Sequence, residues 1–211
     1  MEPNQKKLEE ISKEKTLVLI KPEGVMRQIV GELISRFEKK GLKIVGLKMV
    51  WADEEMAAKH YTDSEEWLLD TGTKTYEGYK EKGITPPLEP RELGLNTRRK
   101  LIEHITAGPV IAMVLQGAHV IETVRKMRGT TNPVKADVGT VGFDFTLESY
   151  ELSDAGDWAI KNILHASDSV ENANSEISIW FNNSEVFDYT TAIEHLLYSK
   201  DWQQHDKRSK K

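Results

Sequence analysis

The segment Asn162-Ile163-Leu164-His165-Ala166-Ser167-Asp168-Ser169 sets a histidine at the end of an apolar run, just before small and hydroxyl residues that can open a helix. An imidazole can attack phosphorus, and a helix N-terminus with free N–H groups attracts anions. These residue types in this order suit a nucleophilic histidine beside a phosphoryl group. A core histidine capped by Ser167 or Asp168 fits the same residues, and the segment alone leaves both readings open. Lys21 follows another apolar run and precedes Pro22 and Gly24, which restrict the backbone. That arrangement fixes a cation at a sheet edge, useful against phosphate, with a surface turn lysine as the alternative. Arg125 lies on an amphipathic stretch, and Gly129-Thr130-Thr131-Asn132-Pro133 is either a donor loop for phosphate oxygens or an ordinary turn.

Several other chemistries lack the residues they need. There is no G-x-x-x-x-G-K-[ST] phosphate loop and no G-x-G-x-x-G dinucleotide signature. No histidine or carboxylate cluster has metal-site spacing, and no G-x-S-x-G elbow presents a serine. Cysteine is absent, which removes thiol nucleophiles, disulfides and Cys-ligated metals together. The 34 acidic residues outnumber the 29 Lys and Arg, for a net charge of −5. That balance argues against a dedicated nucleic-acid binder, so an anionic ligand must meet a local cluster of cations. No apolar run approaches the roughly 18 residues of a membrane span, and the N-terminus has no signal-like apolar region, so a cytoplasmic protein is expected.

The elements that must position these residues follow from apolar spacing. Residues 1–15 read as an N-terminal arm or short surface helix. Thr16–Ile20 is a buried strand running into a turn at Lys21–Gly24. Val30, Leu33, Ile34 and Phe37 mark one helical face that stops at Gly41. Lys43–Val50 is a strand, and Asp53 begins a helix carrying Met56, Ala57 and Tyr61. The stretch 62–96, with Gly72, Gly78, Gly83, Gly94, Pro86, Pro87 and Pro90, lacks sustained periodicity and reads as a long loop or insertion. A helix carrying Leu101, Ile102 and Ile105 leads to a strand at Pro109–Leu115, then to a helix ended by Gly129. A turn-rich loop, an apparent strand at Phe143–Leu147 and a second insertion at 148–157 follow. Asn162–His165 is a strand, Asp168 or Ser169 caps a helix reaching Phe181, and 190–211 is a final helix with a basic tail. The order of strands and helices fits the split β-α-β arrangement of an α+β ferredoxin-like domain: a four-stranded antiparallel sheet covered by helices, with insertions.

Taken in order, Lys21-Pro22-Glu23-Gly24-Val25, His60-Tyr61, Gly108-Pro109-Val110, Arg125, Gly129–Pro133, the N-x-x-H-[GA]-S-D-S stretch from Asn162 to Ser169, Glu176-Ile177 and Trp180-Phe181 resemble the nucleoside diphosphate kinase family. The resemblance covers 16–61, 97–147 and 158–189, within a domain drawn at 16–189. It implies transfer of the γ-phosphate of a nucleoside triphosphate such as ATP to a nucleoside diphosphate, in two steps through a phosphohistidine on His165. Glu176 and Ser167 would orient that histidine. Lys21 and Tyr61 would approach the transferring phosphate, Arg125 and Thr131 the β-phosphate, and Asn162 the sugar hydroxyl. The family implies Mg²⁺ bridging the nucleotide phosphates without a protein cage, and a homo-oligomer, with a hexamer expected.

Two positions depart from the family pattern. The family carries an arginine in G-T-[IV]-R-G-D-F, where Gly139-Thr140-Val141-Gly142-Phe143-Asp144-Phe145 has Gly142. Arg128, or Arg91 of the insertion, is a candidate replacement. The aromatic that stacks on the base falls where the chain enters 62–96, so Trp67, Tyr76 and Tyr79 are candidates. Gly142 and the extra segments motivate an alternative reading, a nucleotide-binding regulatory protein with weakened catalysis on the same scaffold.

Overall fold

In a computed structural model, residues 3–199 are described. The elements in chain order are α1 (Pro3–Ser12), β1 (Lys15–Ile20), α2 (Pro22–Met26), α3 (Val30–Lys39), β2 (Lys43–Val50), α4 (Glu54–His60), α5 (Glu65–Glu81), α6 (Pro90–Thr106), β3 (Val110–Gln116), α7 (Val120–Arg128), α8 (Val141–Phe145), α9 (Tyr150–Gly156), β4 (Leu164–Ala166), α10 (Val170–Trp180) and α11 (Ala192–Tyr198). The strands form one four-stranded sheet in the order β2-β3-β1-β4, with every pairing antiparallel. That is the ferredoxin-like arrangement expected from the sequence.

The apolar run Leu17–Ile20 is wholly buried because β1 lies inside the sheet and both its faces are covered. Side chains alternate across a strand, so Val18 and Ile20 join one core with Leu33, Phe37 and Val124 of α3 and α7. Leu17 and Leu19 join the other, with Ala57, Tyr61, Ile105 and Trp180. The register sets Leu19 opposite His165 and Ile20 opposite Leu164. The nucleophile candidate is thereby fixed to a strand buried on both faces.

Some local expectations are corrected and others filled in. The stretch 62–96 is mostly helical: α5 and the first half of α6 pack on each other as a hairpin. Its contact is made by backbone, with Gly72 against the Pro90 carbonyl and Gly94 against the Leu68 carbonyl. Close approach through glycine leaves no apolar stripe to detect, and Ser64 starts α5 by accepting the Trp67 N–H at 3.3 Å. The strand expected at Phe143–Leu147 is instead α8 and its exit, because the Thr140 hydroxyl accepts the Phe143 N–H and the helix begins there. The second insertion, 148–157, contains α9, capped by Ser149. Finally, β4 begins at Leu164, so His165 lies in the middle of a short strand and Asn162 precedes it; Lys21–Gly24 is the entry to α2, with Pro22 at its first turn. The basic tail, within 200–211, lies outside the described residues. No described helix is long and apolar enough to cross a membrane.

Candidate active site

His165 donates from Nε2 to Glu176 Oε2 at 2.9 Å, and Ser167 Oγ donates to the same oxygen at 2.6 Å. Glu176 projects from α10, whose start is fixed by Ser169 accepting the Asn172 N–H at 3.1 Å. Burial pushes the Glu176 carboxyl upward, but the imidazole charge and hydrogen bond outweigh it and hold the acid below its usual range. An ionised Glu176 accepts only, so the proton resides on Nε2 and Nδ1 keeps its lone pair. Ser167 is itself anchored, its oxygen accepting the Leu17 N–H at 3.2 Å.

A second cluster joins three segments distant in sequence. Lys21 Nζ donates to Asn162 Oδ1 at 2.8 Å, and Asn162 Nδ2 donates to the Thr131 carbonyl at 3.2 Å. Burial lowers the Lys21 ammonium to about 8, opposed by Glu23 and reinforced by the Arg128 charge. Glu23 in turn accepts the Ile163 N–H at 2.9 Å through Oε1 and meets His104 Nε2 at 2.7 Å through Oε2. Burial raises this carboxyl, yet the His104 hydrogen bond and charge prevail and bring it to about 2. The pinned residue is unusual: Ile163 has φ +67°, a left-handed conformation that a β-branched side chain resists. Glu23 and the Lys21 N–H, which donates to the Ile163 carbonyl at 2.8 Å, hold it in place two residues before His165.

A third group closes the back of the site. The His60 and His165 rings meet edge to face with centroids 4.4 Å apart, and His60 also packs on Tyr61 and Trp180. Trp180 Nε1 donates to His60 Nδ1 at 3.4 Å. The Tyr61 ring is buried and its hydroxyl, pushed up by burial, makes no hydrogen bond among the described residues. A cleft of about 890 Å³ is lined by Arg125 and Arg128 of α7, Thr130, Thr131, Thr140 and Asp168, with Glu122 and Asp137 also on its wall; Thr131 links it to Asn162 and Lys21.

The histidine, its two orienting groups, Lys21, Asn162 and the Thr131 loop are thus brought together, with Arg125 on the cleft beside Thr131. Of the candidates for the Gly142 position, Arg91 is occupied by Glu65 at 3.0 Å on the exposed hairpin, whereas Arg128 lines the cleft. Trp67 packs against the second core, and Tyr76 lies under Lys80. Two contributors carried no role in the sequence reading: His60, whose signal was its place beside Tyr61, and His104, which only the fold brings to Glu23.

Magnesium has to be weighed against these donors. Among the described residues, the group of three with metal-ligand reach is His60, His165 and Glu176, with ligand atoms within 4.8 Å. The Trp180 N–H occupies the His60 Nδ1 lone pair, which puts the His60 proton on Nε2, and Glu176 is already engaged. A nitrogen-rich set of this kind is also wrong for a hard cation that prefers oxygen. That group therefore does not make a magnesium cage.

The fold, with an imidazole held by a carboxylate and cationic groups nearby, points to a phosphotransferase. The family model for nucleoside diphosphate kinase matches residues 14–69 and 95–186. Nucleoside diphosphate kinase from Pyrobaculum aerophilum is 44% identical over 180 residues, covering 83% of this chain and 98% of that one. The enzyme of that name from Pyrococcus abyssi is 44% identical over 191 residues, covering 90% and 98%. Among solved structures, the NDP kinase from Pyrobaculum aerophilum superposes with TM-score 0.80 at 42% identity, covering 83% of this chain and all of that one. A transition-state mimic of nucleoside-diphosphate kinase from Borrelia burgdorferi, with bound vanadate and ADP, gives 0.70 at 34% identity, covering 86% and 95%. The chain belongs to the nucleoside diphosphate kinase family.

Proposed function

We propose that the protein is a nucleoside diphosphate kinase that passes the γ-phosphoryl group of a nucleoside triphosphate to a nucleoside diphosphate through His165. The observation that carries this reading is the Glu176–His165 hydrogen bond, which commits Nε2 to a proton and leaves Nδ1 as the nucleophile.

In the first half-reaction the Nδ1 lone pair forms the N–P bond while the bond from γ-phosphorus to the bridging oxygen breaks, and nucleoside diphosphate leaves with that oxygen. In the second, a terminal oxygen of the acceptor diphosphate attacks the phosphorus, the N–P bond breaks and Nδ1 regains its lone pair. The imidazole ring becomes more positive when phosphorylated, and Glu176 stabilises that charge without giving up or taking a proton. Little else is covalent, so positioning and charge neutralisation carry the rate. Lys21 and the Tyr61 hydroxyl are assigned to the transferring phosphoryl group, Arg125 and Thr131 to the β-phosphate, and Asn162 to the sugar hydroxyl. Magnesium bound with the nucleotide supplies further neutralisation of phosphate charge. Donor and acceptor use one site in turn, since both are nucleotides. The working protein is a cytoplasmic homo-oligomer, a hexamer on the family pattern, which light scattering tests.

Incubation with γ-labelled ATP should give an acid-labile, base-stable label that His165→Ala abolishes. Wild-type protein that never acquires the label would overturn the proposal. Labelling with turnover far below a metabolic enzyme's would favour the regulatory alternative that Gly142 motivates.

A further inference from the structure

Arg125 and Arg128 are three residues apart on α7, hence neighbours on one helical face, and both line the cleft beside Gly129, Thr130 and Thr131. The other cation of that turn, Lys126, is exposed and paired with Glu122 at 2.6 Å. Neither arginine has an ion pair among the described residues. Arg128 spends Nε on the carbonyl of its own neighbour Gly129, at 3.2 Å, and its remaining N–H groups meet no acceptor there. Asp168 reaches the same cleft, but its Oδ1 accepts from Asn172 at 2.6 Å.

A half-buried guanidinium with open donors is costly unless an anion completes it. Burial and then repulsion by Arg125 both weaken the Arg128 charge, and that charge is felt in turn at Lys21. Three cations therefore converge; Glu23 acts on Lys21 and Asp168 on Arg128, yet no carboxylate is in ion-pair contact with either arginine among the described residues. The geometry of Gly142 points the same way: a side chain there would begin 3.3 Å from the Arg128 carbonyl and 3.7 Å from that of Thr130, so this glycine backs onto the arginine's own turn.

We propose that Arg128 is a second arginine of the phosphate site, its open N–H groups binding the phosphate oxygens of a nucleoside di- or triphosphate beside Arg125, in place of the side chain that Gly142 lacks. This inference rests on the nucleoside diphosphate kinase reading above. It makes the site complete with Gly142 present, and so assigns full rather than vestigial catalysis to this chain.

The test compares wild type, Arg128→Gln, Gly142→Arg and the double variant. Titration calorimetry would measure ADP and, separately, adenosine; rapid-quench labelling by ATP would give the rate of phosphoenzyme formation. Expected are a roughly 10- to 100-fold loss in ADP affinity and in kcat/KM for ATP in Arg128→Gln, the range of one charge-assisted contact, with adenosine binding unchanged. Gly142→Arg alone should gain little, and should restore most of the loss in the double variant. Unchanged ADP affinity and kcat/KM in Arg128→Gln would overturn the assignment, as would an equal loss of adenosine binding or a large gain from Gly142→Arg alone. Should Arg128→Gln fail to fold, Arg128→Lys serves: a several-fold loss confined to phosphate-bearing ligands supports the assignment, and an unchanged affinity overturns it. If wild type forms no phosphohistidine, the kinase reading falls, while the ADP-against-adenosine comparison still decides the role of Arg128.

Discussion

His60 and His165 stand edge to face at 4.4 Å between centroids, one buried and committed to a neutral state, the other only partly covered. Burial, with the His165 charge adding to it, lowers His60 to about 3 from an ordinary 6.5. The unfolded chain takes up this proton near pH 6.5 and the folded chain refuses it until about pH 3, so acid favours unfolding. His60 imposes no such cost above pH 6.5; below it, stability should fall by about 1.4 kcal/mol per pH unit from this group alone. Glu23, with its folded value near 2, keeps its contribution until the pH drops below about 4.5. Thermal melts between about pH 6.5 and 5 lie above the range in which Glu23 loses its contribution, and His60→Phe should show a shallower slope there. Equal slopes in the two proteins would rule out this assignment.

Glu176 accepts from both His165 and Ser167, and in the proposed reaction its charge steadies the phosphorylated ring. Glu176→Gln keeps the shape and loses the charge. Phosphoenzyme formation should slow by about 1.5–3 kcal/mol in barrier, roughly 10- to 100-fold, with KM for nucleotide little changed. Stopped-flow labelling separates the two quantities; a pure KM effect would place Glu176 in binding.

The Lys21 ammonium sits near 8 in the free protein because it is buried. Its cation is present below that pH and lost above it. A plot of kcat/KM against pH, which reports the free enzyme, should therefore bend downward near pH 8, and Lys21→Arg should move the bend to higher pH. A flat profile through pH 9 in wild type would remove Lys21 from the phosphate site.

Helix propensity says that replacing an interior glycine by alanine stabilises a helix by up to about 1 kcal/mol. At Gly72 and Gly94 the opposite should hold, because a methyl group would strike the Pro90 or the Leu68 carbonyl, backbone that cannot step aside. Each alanine variant should lose about 1–3 kcal/mol in denaturant titration. A gain in either would mean the α5–α6 hairpin is looser than described.

What the sequence made legible was what periodicity and caps encode. The double-sided burial of β1 was readable in Thr16–Ile20, the α10 cap in Asp168-Ser169, and the His165–Glu176–Ser167 cluster in the motif around His165. The α5–α6 hairpin was hidden because its seam is glycine against carbonyl, which no hydrophobic pattern records. Phe143–Leu147 looked like a strand because aromatic and β-branched residues favour one, but the Thr140 hydroxyl began a helix first. The Glu23–His104 pair and the His60–Trp180 contact join residues 81 and 120 positions apart, so only the closed fold could reveal them.

The bond between Lys21 and Asn162 spans 141 positions, and the Thr131 loop completes it from a third place in the chain. An emerging polypeptide has made Lys21 long before Asn162 exists to receive it, and the histidine's partner Glu176 comes later still. On the proposed mechanism, an oriented nucleophile exists only once nearly the whole domain has been synthesised, and a chain truncated before α10 should be inert rather than partly active.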